Sequence, residues 1–562
     1  MLPSSDNLAQ ILVERSRQQA RSEALILYGR TSRSAISWRR LLAGSARFAS
    51  HFKRAGVEQG DVVVELLPPG EDLVFGFLGA LLLGAVPSIL PFQTEKLDPQ
   101  RYLEGMTRLV DVTKPAAILG EPALVLELER HLPGNPAIKA FLTPDGASPG
   151  ESAPAIPHDD WAGLQRLPDD LVLLQHSSGT TGLQKGVALS HGAVLNQLRA
   201  YLPVLKARPD DVVVSWLPLY HDMGLIAGFL LPLLAGLKLV LLSPFEWVRG
   251  PWLLLQAVHD HRGSLSWLPN FAYNFCASKI PEGRLRGLDL TSWRAVINCS
   301  EPIYAESHRM LARRLAANGL SPEALSTCYA MAENVFAVSQ GEVGESVVYD
   351  RVDRRLLASE KRALPADGPA SVEMVSAGAA LPNCRLRVVD GHGAAVADRT
   401  IGELALQSDC MLTGYYNRPD ATHQAIRQGW LMTGDLGYLA DGQVYITGRK
   451  KDLIIVGGRN IYPQDVEYVI NRVNGVYPGR VVVFGVLNAE LGTEDVVAVV
   501  EADEAAPSDH KRLAVEIRLA VARGSEVSLG DVRVVDRHWL VKTSSGKIAR
   551  AANREKYLGE LG

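Results

Sequence analysis

LVLLQHSSGTTGLQKGVALSH, residues 171–191, is an apolar run that enters a loop of Ser, Thr and Gly, passes one lysine, and resumes as Val-Ala-Leu. Gly179 and Gly182 let backbone N–H groups turn toward an anion. The hydroxyls of Ser177, Ser178, Thr180 and Thr181 add donors, and Lys185 adds a point charge. The loop reads as a phosphate cradle between two strands. It is not a Walker A loop: counted from Gly179, the Gly-Lys-Ser/Thr ending falls at 184–186, where the chain has Gln184-Lys185-Gly186. The hydroxyl that binds Mg²⁺ after the P-loop lysine is therefore missing. The G-x-G-x-x-G of dinucleotide-binding folds is missing as well.

Outward from this loop, buried-strand patterns recur at 61–67, 211–217, 237–243, 295–298, 481–487 and 495–502. Helical patterns lie between many of them, as at 41–56 and at 305–319, the latter closed by Gly319. The alternation predicts an α/β fold class with largely parallel sheets. The apolar span 73–92, LVFGFLGALLLGAVPSILPF, is long enough to suggest a membrane crossing. Gly84-Ala85-Val86-Pro87 interrupts it, so it reads as a buried helix ending near Leu83 and a strand at 86–90, not as an integral membrane segment. A long connection follows Glu333, and 340–376 is expected to hold an insertion. The charged turn GRKKD (448–452) marks a boundary between a large N-terminal domain of layered α/β subdomains, 1–448, and a smaller α+β C-terminal domain, 449–562.

At 562 residues the chain exceeds one ordinary core. A net charge of −4 gives no electrostatic case for nucleic acid. The five cysteines are scattered and form no C-x-x-C pair, which points to a reducing, cytoplasmic setting without a disulfide framework. The charged N-terminus lacks the apolar stretch of a signal peptide.

Five further segments follow the loop in order: NCSEPIYAES (298–307), CYAMAENVFAVS (328–339), TGDLGYLADGQVYITGRKKD (433–452), GGRNIYPQDVE (457–467) and VKTSSGKIAR (541–550). Together they resemble the adenylate-forming superfamily over nearly the whole chain. WLPLYHDMGLIAG (216–228), SWLPNFAYNFC (266–276), GLDLTSWRAVINCSEP (287–302) and YAMAE (329–333) resemble the fatty acyl-AMP ligases within it. The long connection after Glu333 falls where those ligases carry an insertion.

The resemblance implies an ATP- and Mg²⁺-dependent enzyme. It activates a fatty or related carboxylic acid as acyl-AMP, then passes the acyl group to the thiol of a holo-acyl carrier protein, or alternatively to CoA. It also implies site residues. The loop 177–182 with Lys185 holds phosphates, and Glu333 holds the metal. Ser300, Glu301, Pro302, Tyr329, Ala330 and Met331 wall the adenine. Asp435 accepts the ribose hydroxyls, since two acceptor oxygens match a cis-diol, and Arg449 serves the ribose and phosphate side. Lys451 stands at the hinge of a mobile C-terminal domain, and Lys547 is the adenylation lysine that bridges carboxylate and α-phosphate. His221 stands at the acyl pocket beside the reacting carboxyl, as a catalytic-site residue that reads as pocket wall more than as general base. Asn270 and Tyr273 line the same pocket. The chain departs from the commoner pattern at Ala332, Ala330, Cys299 and Gln184.

Overall fold

Six parallel strands run through the middle of the molecule. Next to an antiparallel edge strand, Arg33–Ser37, they are in order Glu23–Tyr28, Lys238–Leu242, Val212–Ser215, Leu265–Leu268, Ala295–Asn298 and Leu325–Ala330. Their Val-, Leu- and Ile-rich runs are buried almost throughout, as strands covered on both faces require. Beyond Leu325–Ala330 the same sheet turns antiparallel. It continues through Ala337–Gln340, Ala379–Ala380, Gln443–Arg449, Trp430–Ala440, Gly402–Ser408 and Cys384–Val389. This half corrects the expectation of largely parallel sheets. Strands 430–440 and 443–449 are joined only by Asp441 and Gly442, both left-handed at φ +52° and +74°. An Asp-Gly turn of that kind joins antiparallel neighbours, whereas a parallel pair needs a long crossover.

The computed structural model describes residues 2–93, 99–132, 134–147, 160–176, 185–456, 459–488, 493–503, 510–525, 527–543 and 547–560, the Arg101 side chain excepted. The apolar span at 73–92 resolves into the helix Glu71–Leu83, a left-handed Gly84, and the strand Val86–Ile89. That strand belongs to a second, four-stranded parallel sheet with Val62–Leu66, Ala117–Gly120 and Ala140–Leu142. Among the described residues no helix is long and apolar enough to cross a membrane.

Leu171–His176 pairs antiparallel with Gly186–Ser190, which pairs in turn with Gly414–Tyr415. The loop that opened the sequence reading thus joins the two strands of a hairpin. Residues 349–375 form a small unit of their own: Tyr349–Asp353 pairs with Ser371–Val375, and the helix Arg354–Ser359 lies between them in sequence.

After the 3₁₀ segment Lys450–Asp452 a separate lobe begins. It contains the hairpin Ile454–Val456/Arg459–Ile461 and the helix Pro463–Ile470. Its sheet orders Val476–Asn488, Thr493–Ala502 and Leu529–Val535. Each face of that sheet has its own apolar cluster, one around Val483, Val496 and Ile517, the other around Phe484, Val497 and Tyr557. Neither merges with the large cluster of the N-terminal lobe. A cavity of about 1060 Å³ lies between the lobes.

Candidate active site

Lys547 is half-buried, and its ammonium feels the charges of Asp222, Glu301 and Arg449. Burial lowers its pKa from the ordinary lysine value; the two carboxylates oppose that shift and Arg449 adds to it. Its backbone is tied locally: Lys547 N donates to Thr543 Oγ1 at 3.2 Å and Thr543 N to Lys547 O at 2.7 Å. Asp222 comes from the N-terminal lobe at the entry to a π-helix, Met223–Leu230. Its carboxylate accepts from Met223 N at 2.8 Å and touches His221 Nδ1 at 2.5 Å. That contact is charge against ring more than hydrogen bond, since Nδ1 has no well-aligned partner. Burial opposes the charge of Asp222, but His221, Lys547 and the Met223 N–H outweigh it and hold the pKa below the ordinary value. Adjacent residues within a helix do not face one another, but His221 and Asp222 do. They meet because His221 sits in a turn before the helix.

The end of the cavity beneath the parallel strands carries Tyr329, Asp435 and Arg449. Tyr329 OH donates to Asp435 Oδ2 at 2.7 Å, and Arg449 Nε lies 3.3 Å from Asp435 Oδ1. Asp435 and Arg449 are cross-strand partners in the antiparallel hairpin, so its register presents them together. Asp435 raises the pKa of Arg449 above its ordinary range against burial; burial and Asp435 together push the Tyr329 phenol well up. Ser300, Glu301, Pro302 and Ala330 line the same cavity. Ser300 adopts φ +69°, and its hydroxyl faces Cys299 Sγ at 3.6 Å and Met223 Sδ at 3.8 Å. Cys299 is fully buried. Met331 is half-buried just beyond Ala330, and its N–H donates to Phe336 O at 2.8 Å.

Glu333 sits on a one-turn 3₁₀ helix, Ala332–Asn334, followed by a tight reversal. Val335 takes φ +63°, ψ −56°, and Phe336 N donates to Asn334 O at 2.6 Å. This is a classic γ-turn, a strained form that is rarer still for a β-branched residue. The strain sits beside a functional candidate, where such geometry concentrates. Tyr415 OH donates to Glu333 Oε1 at 2.8 Å, and Lys185 Nζ lies 4.6 Å from the centre of the same tyrosine ring. Burial raises the Glu333 pKa; Tyr415 and Arg449 oppose the shift and Asp222 reinforces it. Lys185, Glu333 and Arg449 therefore converge, and Lys451 stands close enough for Arg449 and Lys185 to disfavour its charge, after burial itself. Ser177, Ser178, Gly179, Thr180, Thr181, Gly182 and Gln184 lie outside the described residues.

Asn270 and Tyr273, expected along an acyl pocket, have packing tasks instead. Asn270 is 5% exposed; its amide donates to Ser307 Oγ, and its carbonyl oxygen accepts from Asn298 Nδ2 and Tyr304 N. Tyr273 is fully buried, donates to Val296 O at 2.8 Å, and packs on the His308 ring. The exposed aromatic side chain on that helix is Phe271, whose N–H donates to Glu301 Oε2 at 2.9 Å. Phe271 lies edge-on to Trp216 and Trp247, which stack on each other at 3.6 Å. Sequence reasoning missed Tyr415, while Phe271 belongs to the stretch Asn270–Tyr273 that it expected along the acyl pocket. The adjacent Tyr415-Tyr416 pair was visible in the sequence, but nothing local said that one of them would reach Glu333.

A family model described as AMP-binding enzyme matches residues 12–416. A Mycobacterium marinum protein named Long-chain-fatty-acid--AMP ligase FadD26 is 31% identical to this chain, covering 93% of it and 91% of its own length. A Caulobacter vibrioides chain provisionally named an acyl-CoA synthetase is 30% identical, over 93% of this chain and 90% of its own. A solved structure from work on fatty acyl-adenylate ligases from E. coli and L. pneumophila superposes with a TM-score of 0.90 at 28% identity, covering 99% and 98% of the two chains. ATP-bound MatB from Rhodopseudomonas palustris, 24% identical over 99% of both chains, shares the fold at a TM-score of 0.74.

Proposed function

The chain belongs to the AMP-binding enzyme family, and we propose that it passes a fatty or related acyl group, activated as acyl-AMP, to the phosphopantetheine thiol of a holo-acyl carrier protein. The adenylate-forming ligase activity itself is of the fatty acyl-AMP ligase and acyl-CoA synthetase type, and it is ATP-dependent. The observation that carries the reading is that Lys547 of the C-terminal lobe feels the charges of Asp222, Glu301 and Arg449, of which Glu301 and Arg449 line a cavity large enough for a nucleotide.

In the first half-reaction a carboxylate oxygen attacks the α-phosphorus of ATP. The bond to the bridging oxygen breaks and pyrophosphate leaves. Two anions meet, so positive charge is needed where negative charge accumulates. Lys547 supplies it between carboxylate and α-phosphate, and Arg449 supports it from the ribose side. Asp435 takes the ribose hydroxyls. Tyr329, Ser300, Glu301, Pro302, Ala330 and Met331 form the adenine wall. Lys185 and the loop 177–182 hold the outer phosphates. Glu333 fits Mg²⁺: a hard, buried carboxylate oxygen beside a phosphate-binding lysine suits a cation that takes few protein ligands and shares phosphate oxygens. Mg²⁺ there supplies charge neutralisation on the phosphates. In the second half-reaction the thiol sulfur attacks the acyl carbon and AMP leaves. His221, braced by Asp222, walls the acyl end. Residues 1–448 carry the adenine, ribose and acyl walls, and 449–562 add Arg449 and bring Lys547 in about a hinge at Lys451.

The carrier as acceptor is supported by the ligase-like motifs and by the small unit at 349–375, which stands where the acyl-AMP ligases have an insertion. The relative provisionally named for CoA favours the second reading, transfer to free CoA. A panel of carboxylic acids, run with ATP and Mg²⁺ and with holo-carrier or free CoA in parallel, tests both. Pyrophosphate release with a fatty acid and thioester only with holo-carrier is the expected result. Efficient acyl-CoA formation overturns the carrier reading.

A further inference from the structure

Where Lys547 now sits, a thiol also has to arrive. The acyl carbon lies next to the carboxylate oxygen that Lys547 serves, so the second half-reaction requires the C-terminal lobe to withdraw. That lobe has its own cores and leaves the N-terminal lobe through the short 3₁₀ segment Lys450–Asp452. What holds it in place while acyl-AMP forms is therefore part of the catalytic cycle.

One contact is built for this. Tyr304, three residues after Glu301, stacks on Tyr468 of the C-terminal lobe, ring centres 4.5 Å apart and planes 18° from parallel. Tyr304 OH donates to Gln464 O at 3.3 Å, on the same helix as Tyr468. The Arg472 guanidinium covers the Tyr468 ring at 4.2 Å, extending the stack. On the other side the Tyr304 backbone is fixed: its N–H donates to Asn270 Oδ1 at 3.2 Å, which also accepts from Asn298 Nδ2 at 3.1 Å. Asn298 in turn meets His308 Nε2 at 2.9 Å. The stack is thus anchored to the same segment that carries Glu301, whose charge Lys547 feels. Both rings line the interdomain cavity.

We propose that Tyr304 and Tyr468 are positioning residues: their stack latches the C-terminal lobe with Lys547 inward for adenylation, and the stack must open before thiol transfer. The proposal rests on the two-step reading above for its second step only. A neutral aromatic pair suits the task, because its grip does not change with the charge that enters and leaves the pocket as pyrophosphate and AMP depart. Its loss should shift the balance of lobe positions by about tenfold, the scale of one aromatic pair.

The test compares Tyr468→Ala, Tyr468→Leu and Tyr468→Phe with wild type in the full chain. Pyrophosphate release with ATP, Mg²⁺ and fatty acid reads the first half-reaction. Single-turnover transfer from supplied acyl-AMP to holo-carrier, or to CoA, reads the second. Adenylation should be about tenfold slower in the Ala and Leu variants, transfer should be unchanged or faster, and Phe should restore the wild-type ratio. Equal loss in both half-reactions, no loss in adenylation, or failure of Phe to rescue overturns the latch. If wild type acylates neither acceptor, the two-step reading fails, while adenylation rates and the Phe rescue still decide the latch.

Discussion

Two of the places where the C-terminal lobe meets the N-terminal lobe differ in kind. At one, Lys547 enters a cluster of Asp222, Glu301 and Arg449. At the other, Tyr468 lies flat on Tyr304. The charged end is poor glue: burial acts against its lysine, and buried ion clusters offset desolvation only with good geometry and partners. The aromatic end gains from contact alone and needs no ligand. On the proposed reading, the group that acts on the reacting atoms is separate from the group that keeps it there.

The largest expected effect tests the charged end. Lys547→Ala should slow pyrophosphate release by about 10²–10³-fold, the usual scale for losing one preorganised electrostatic group. Transfer from supplied acyl-AMP should stay near wild type. A loss below about tenfold in the first step would erase the distinction between the two ends. Next comes pH. Lys547 must be protonated to act, and burial lowers its pKa. Adenylation should therefore fall on the alkaline side at a pH below the ordinary lysine value of about 10.4. Lys547→Arg should remove that limb from whatever activity it retains, because arginine stays charged. An unchanged limb would assign it to another group.

A smaller effect concerns stability. His176, His191 and His308 are buried, and burial lowers each pKa to about 4. Between that value and the ordinary 6.5 the unfolded chain binds more protons than the folded one. Their contribution is thus fully present above about pH 6.5 and is lost as pH falls toward 4. The urea midpoint should drop between pH 7 and pH 5; a flat midpoint would contradict the burial of these rings. The smallest is a control remote from both ends. Glu65 lies in the core with neither carboxyl oxygen hydrogen-bonded, and burial raises its pKa well above the ordinary value. Such a group stabilises least at high pH, so the stability of Glu65→Gln relative to wild type should rise from pH 5 to pH 9. The ratio of the two half-reaction rates should not move. If it moves, that ratio also reports general stability and cannot isolate the latch.

Much of this was legible in the sequence. Buried strands announced themselves as unbroken Val and Leu runs, and the span at 73–92 betrayed its break at Gly84. The phosphate loop, Glu333, Asp435, Arg449 and Lys547 entered as expectations from motif resemblance, and of these the structure pairs Asp435 with Arg449 at 3.3 Å. The antiparallel half of the large sheet was less so, although Asp441-Gly442 carried the signal. The hydrogen bonds that hold Asn270 and Tyr273 were not legible, because their partners at Asn298, Tyr304, Ser307 and Val296 are distant in sequence. Tyr304 and Tyr468 were out of reach: a stack between lobes leaves no local pattern, and each tyrosine alone is ordinary.

The order of the large sheet has a consequence for how such a chain can be recombined with its relatives. The segment matched by the family model ends at 416, yet Trp430–Ala440 and Gln443–Arg449 lie inside the sheet, between Gly402–Ser408 and Ala379–Ala380. A crossover at 416 would ask a foreign hairpin to complete the middle of someone else's sheet, with Asp435 and Arg449 on it. A crossover at Lys450–Asp452 transfers an intact three-stranded lobe and leaves the large sheet whole. Chimeras joined there should fold, and those whose Tyr304 meets no ring across the junction should reveal by their kinetics what the native pair contributes.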